Sequence, residues 1–159
     1  MEDAKMKLYL VQHGKATSKE ENPDRPLTEQ GREEVREMAE FVKPLELVAD
    51  YIWDSGKQRA TQTAEVLAGV FQVTQERKSR QGLGPNDDAA AFAKELTTSG
   101  KDVLVVGHQP FLGKLTSLLL TDSETGSPVM FKNAGIVCLN CEQQGNWQLE
   151  WEITPDIVS

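Results

Sequence analysis

The chain contains two histidines, and each stands beside a glycine directly after a short apolar run: Leu8-Tyr9-Leu10-Val11-Gln12-His13-Gly14 and Val103-Leu104-Val105-Val106-Gly107-His108. Apolar runs this short read as strands, so both imidazoles are expected where a strand ends. Arg59 lies a few residues past a third run, 50–53, in the first turn of the helix that follows it. Free backbone N–H groups and the helix dipole favour an anion there. Two imidazoles, a guanidinium and a helix N-terminus at one edge suit a phosphoryl group. Arginine bonds two phosphate oxygens at once. A neutral histidine attacks phosphorus through one ring nitrogen while the other donates to a carbonyl that fixes the tautomer. A second histidine stabilises charge on the equatorial oxygens. Nothing in this scheme calls for a metal or another cofactor.

His13 and His108 are distant in sequence, so the fold must bring them together. Strand-like segments at 8–11, 50–53, 71–78 and 103–106 alternate with helical ones. Thr28 reads as the N-cap of a helix whose apolar face is Val35, Met38, Ala39 and Val42, ended by Pro44. Asp54 or Ser55 is placed to cap a helix over about 57–71, with Ala60, Ala64, Leu67 and Phe71 inward. Asp87 or Asp88 opens a third helix, with Ala89, Phe92 and Leu96 inward. Pro110 suits the first position of a fourth, whose stripe is Phe111, Leu115 and Leu118. Segments 136–140 and 147–153 alternate like strands around Gln143-Gln144-Gly145-Asn146, an antiparallel hairpin. This order predicts a three-layer α/β/α domain with a mostly parallel central sheet and a C-terminal antiparallel hairpin. In such a sheet ligands collect at the carboxyl ends of the strands.

With 159 residues, 38% of them hydrophobic, and no long linker or repeat, one domain over 1–159 is expected. The formal net charge of −8 argues against nucleic acid or an anionic membrane as partner. The acidity is concentrated at the end of the chain, where residues 115–159 carry 1 basic and 6 acidic side chains. The apolar stretch after Met1-Glu2-Asp3-Ala4-Lys5-Met6-Lys7 is too short for a signal peptide, no run suits a membrane span, and a cytoplasmic protein is expected. Cys138 and Cys141, three apart on a strand, should face opposite sides and make neither a redox nor a metal pair. Trp147 and Trp151, four apart, should share one face. The acidic run 29–40 reads as a solvated helix face, and Arg25 as a residue of the pocket rim or of a salt bridge.

These residues resemble the histidine phosphatase superfamily, and within it the short SixA-like phosphohistidine phosphatases. The resemblance runs through Gln12-His13-Gly14-Lys15-Ala16, Arg25-Pro26-Leu27-Thr28-Glu29-Gln30-Gly31, Ser55 with Arg59-Ala60-Thr61-Gln62-Thr63, and Gly107-His108-Gln109-Pro110, in family order over nearly the whole chain. It implies that His13 is a transiently phosphorylated nucleophile, His108 the second catalytic histidine and Arg59 a phosphate clamp. Gln12, Gly14, Ser55 and Lys15 would also face the phosphoryl oxygens, and Asp87 or Asp88 is the nearest candidate for a general acid. Position 12 departs from the family, which has arginine there. Losing such a charge-assisted contact is worth about 2–4 kcal/mol of transition-state stabilisation, with Lys15 the nearest cation to replace it.

The resemblance thus implies a phosphatase that removes phosphoryl groups from a phosphorylated protein, the substrate being phosphohistidine. The alternatives are a weakened domain that binds a phosphorylated partner without turnover, because of Gln12, and a phosphatase of small phosphate esters.

Overall fold

The computed structural model describes residues 5–126, 128–143 and 145–158. Within it, β1 (Met6–Gln12), β2 (Val48–Asp54), β3 (Gln72–Ser79), β4 (Val103–Gly107), β5 (Ile136–Gln143) and β6 (Asn146–Ile153) form one sheet, in the order β3-β2-β4-β1-β5-β6. The four strands from β3 to β1 run parallel, and β5 and β6 extend the sheet antiparallel beyond β1. Between the strands come α1 (Glu29–Val42), α2 (Gln58–Ala68), α3 (Ala89–Ser99) and α4 (Phe111–Thr121), with a short α5 (Pro155–Val158) after β6. This is the α/β architecture expected, with α1 and α2 packed together on one face and α3 against α4 on the other.

The central strands are apolar because both of their faces are covered. Successive side chains alternate between two cores. Leu8, Leu10, Val103 and Val105 join Phe92, Phe111 and Leu115 in one core, while Tyr9, Val11, Leu104 and Val106 join Val35, Met38, Ala64 and Leu67 in the other. β3 at the edge is almost wholly exposed and carries Glu76, Arg77 and Lys78, charges that discourage pairing with another chain.

Thr28 caps α1 as expected, its Oγ1 accepting from the Gly31 N–H at 2.9 Å, and Val35, Met38, Ala39 and Val42 are its buried face. Four expectations need correction. Neither Asp54 nor Ser55 caps α2; Lys57 occupies that position and makes no side-chain capping bond, because Asp54 and Ser55 are committed elsewhere. The same helix ends at Ala68, so Phe71 is buried from the turn before β3. Pro110 is the residue before α4 rather than its first member, and Leu112 and Leu119 are more fully buried than Leu118. Trp147 and Trp151 lie on opposite faces, because the pairing shifts from Cys138 with Trp151 to Leu139 with Leu149 and leaves Glu150 as an extra residue.

Cys138 and Cys141 are buried on opposite faces and unpaired. The expected hairpin turn includes Gln144, and the amino-terminal reading includes Met1 to Ala4; these fall outside the described residues. Among the described residues no helix is long and apolar enough to cross a membrane.

The loop from His13 to Thr28 folds back on itself through Thr17 N–H to Pro26 O at 2.7 Å and Thr28 N–H to Lys15 O at 2.9 Å. Its close approach to α1 requires Gly31, where an added Cβ would lie 2.2 Å from the Lys15 carbonyl oxygen. Backbone must move to admit it, so Gly31→Ala is expected to lower the unfolding free energy by about 1–3 kcal/mol, the range of overpacking losses. A urea titration measures this; an unchanged midpoint would show that the loop yields freely.

Candidate active site

The strands deliver the site by register. Gln12 of β1 is paired with Gly107 of β4, and Val106 of β4 with Asp54 of β2. His13, Ser55 and His108 therefore leave the sheet side by side at its carboxyl edge, and the His13 N–H still donates to Gly107 O at 3.1 Å. The two imidazoles end with ring centres 5.0 Å apart, tilted by 55°.

His13 is held at both nitrogens. Nδ1 lies 2.7 Å from the Gly14 carbonyl oxygen, which can only accept, so Nδ1 carries the proton. Nε2 is left with its lone pair, consistent with its accepting from Arg59 Nε at 3.3 Å. Burial, with the positive charges of Arg59 and Arg25, holds the ring below the usual histidine pKa, against the opposing effect of the Gly14 hydrogen bond. His108 is 2% exposed, and its Nε2 is 2.6 Å from Ser55 Oγ. Burial first, then the charges of His13, Arg59, Lys57 and Arg25, push its pKa down to about 3. Both shifts favour the neutral imidazole at pH 7.

Helix α2 acts as a jig. Arg59 faces His13. Thr61 Oγ1 donates to Asp54 Oδ1 at 3.0 Å. Gln62 Oε1 accepts from Leu27 N–H at 2.8 Å. The buried Thr63 Oγ1 donates to Arg59 O at 2.8 Å and accepts from Gly14 N–H at 3.0 Å. Asp54, 1% exposed, takes Gly56 N–H, the Thr61 hydroxyl and the Ser79 hydroxyl on one oxygen, fixing the turn that carries Ser55. Behind His13, Asn133 Nδ2 donates to the His13 carbonyl at 2.9 Å, and Ala134 N–H to the Gln12 carbonyl at 2.8 Å.

The structure thus brings His13, His108, Arg59 and Ser55 together. Gly14 belongs there by position, but its N–H is taken by Thr63, so it serves His13 through its carbonyl rather than an anion through its amide. Gln12 and Lys15 open onto a neighbouring cleft of about 510 Å³ with Gln30, Glu34, Lys132 and Asn133. Lys15 Nζ is held there by Gln30 Oε1 at 3.2 Å, and Gln12 Oε1 is buried without a partner among the described residues. Asp88 caps α3 through Ala91 N–H at 3.1 Å. Asp87 takes Gly84 N–H at 2.7 Å and shares a cleft with Ser55. Arg25 stands near enough for its charge to act on His13 and Arg59, and its Nε donates to Thr17 O at 3.0 Å. The supporting roles of Thr63, Asp54 and Asn133 escaped the sequence reading; Asn133-Ala134-Gly135 carries only the composition of a turn, and Ala134 adopts a left-handed φ of 64°.

The model of the histidine phosphatase superfamily (branch 1) matches residues 8–81. Phosphohistidine phosphatase SixA of Escherichia coli (strain K12) is 28% identical over 155 residues, 94% of each chain. An uncharacterized protein of a Picosynechococcus species is 33% identical over 141 residues, 84% of each. A solved structure of the protein histidine phosphatase SixA complexed with tungstate superposes with a TM-score of 0.85 at 26% identity, covering 97% of this chain and 100% of that one. The chain belongs to the histidine phosphatase superfamily, in its SixA-like branch, and is a phosphatase-type hydrolase. A phosphoserine phosphatase mutant from Entamoeba histolytica shares the fold, with a TM-score of 0.68 at 19% identity over 97% of this chain and 100% of that one.

Two outcomes are expected from this geometry. Thr63→Val removes both the donor to Arg59 O and the acceptor for a buried amide, and should lower stability by about 1–3 kcal/mol, read from denaturant unfolding; no change would remove Thr63 from the scaffold. Both histidines should titrate below 6.5 by NMR in the free protein and shift upward when phosphate binds, since a nearby anion favours imidazolium. Because the folded pKa values lie below the unfolded one, the histidine contribution to stability is complete above about pH 6.5 and is lost as pH falls from there toward about 3. Ordinary titration near 6.5 for His108 would contradict the burial argument.

Proposed function

We propose that the chain is a phosphohistidine phosphatase acting on a phosphorylated protein through a phospho-His13 intermediate. The observation that carries this reading is the state of His13: Nδ1 tied to Gly14 O at 2.7 Å, Nε2 presented beside Arg59. His13 Nε2 attacks phosphorus and forms a new P–N bond as the bond to the leaving nitrogen breaks. The leaving imidazole takes that electron pair and, being already protonated on its other nitrogen, departs neutral. Water then attacks the phosphoenzyme, releasing phosphate and restoring His13. Arg59 and His108 hold the phosphoryl oxygens through both steps.

A phosphohistidine leaving group asks little of a general acid, which agrees with Asp88 being committed to its cap. Asp87 is the remaining candidate, from the cleft it shares with Ser55. The near-complete mutual coverage with SixA, whose name states phosphohistidine, supports the protein substrate over a small ester. A cytoplasmic setting is part of this reading and agrees with two free cysteines.

Gln12 favours a second reading, a phosphoryl-binding domain with little turnover, since it brings no charge to the position before the nucleophile. Trapping separates the two. The protein is mixed with a histidine-phosphorylated protein, quenched in alkali and examined for acid-labile phosphate. Label on His13 with phosphate release, both lost in His13→Ala, is expected. Gln12→Arg should raise the rate roughly tenfold or more. Binding without label or release would establish the second reading, and faster turnover of a small phosphate ester would move the substrate class.

A further inference from the structure

We propose that Lys57 binds a phosphoryl oxygen of the substrate from the His108 side, supplying the site with a cation in addition to Arg59. The proposal rests on the reading of His13, Arg59 and His108 as a phosphoryl site. Lys57 sits at the N-cap of α2, a position that favours serine, threonine, aspartate or asparagine. A lysine there provides no capping acceptor and sets its charge against the positive end of the helix dipole. No acidic residue in the first turn of α2 offsets it. Such a local conflict is expected where function outweighs stability.

The placement fits that function. Lys57 N–H donates to Ser55 Oγ at 3.3 Å, and Ser55 Oγ lies 2.6 Å from His108 Nε2. Lys57 lines a cleft of about 660 Å³ with Ser55, Gly56, Asn86 and Asp87, at the same sheet edge as the histidines. Other lysines near the site are occupied: Lys15 by Gln30, and Lys132 by Asp156 at 3.3 Å. Lys57 Nζ has no hydrogen bond or ion pair among the described residues. Asp54, three residues before it, is engaged by three donors, and Asp87 in the same cleft by Gly84 N–H. Four positive or titratable groups, His13, Arg59, Lys57 and Arg25, act on His108 with the same sign. The cations among them favour a bound anion.

The test uses inorganic phosphate as probe and Lys57→Asn as the main variant. Asparagine is a good N-cap, so the variant should be at least as stable as the parent in thermal unfolding while its phosphate dissociation constant rises about tenfold, the low end for a charge-assisted contact. By NMR, His108 should titrate higher than in the parent, since one of the cations acting on it is gone while Arg59 and Arg25 remain. Lys57→Arg should keep most of the affinity. Unaltered phosphate affinity in Lys57→Asn would overturn the proposal, as would weaker binding in a variant that had also lost stability and that Lys57→Arg failed to restore. Arg59→Met serves as reference: if it too leaves phosphate binding unchanged, the phosphoryl-site reading itself fails, whereas loss in Arg59→Met alone sinks only the role of Lys57.

Discussion

The parallel register of β1, β4 and β2 is the constraint on which the rest of the molecule depends. Pairing Gln12 with Gly107 and Val106 with Asp54 puts three chain segments on one line at the carboxyl edge. The pleat makes this register expensive to change. A slip by one residue would exchange the two cores, sending Leu10 and Val105 toward α1 and α2 and Val11 and Val106 toward α3 and α4. Both faces are packed, so the hydrophobic alternation that holds the sheet together also fixes the 5.0 Å between the imidazole rings. Stability and chemistry are specified by the same residues.

Much of this was legible because the central strands are short apolar runs that end in His-Gly or Gly-His, and because Thr28, Gly31 and Pro44 punctuate the first helix. The architecture and the grouping of His13, Arg59 and His108 follow from those signals together with the carboxyl-edge rule. What stayed hidden was set by tertiary competition. Asp54 looks like a helix cap on propensity, yet three donors, from the turn after β2, from α2 and from β3, converge on it once β3 pairs with β2. Trp147 and Trp151 obey the two-residue period until the pairing shifts between Cys138 and Leu139. Asn133 carries no periodic signal at all, and its use appears only when β5 lies beside β1.

Position 12 shows how a family resemblance and a structure divide the work. The resemblance identifies where charge is absent. In the structure Lys15 is turned toward Gln30 in the adjoining cleft, while Arg59 and Arg25 act on both histidines and Lys57 on His108. Burial first, and these charges after it, favour the neutral rings, which preserves the lone pair of His13 while leaving the site suited to a group of opposite sign.

The hydrogen bond from Asn133 to the His13 carbonyl spans 120 residues of chain. During synthesis the His13 segment emerges early and its support late, a delay of roughly 6–24 s at typical elongation rates. A ribosome-bound chain that has completed β1 to β4 has the histidines but lacks the backing that fixes the His13 peptide. The backing of the His13 peptide is therefore completed only when β5 pairs with β1, after the strands that carry both histidines have been made.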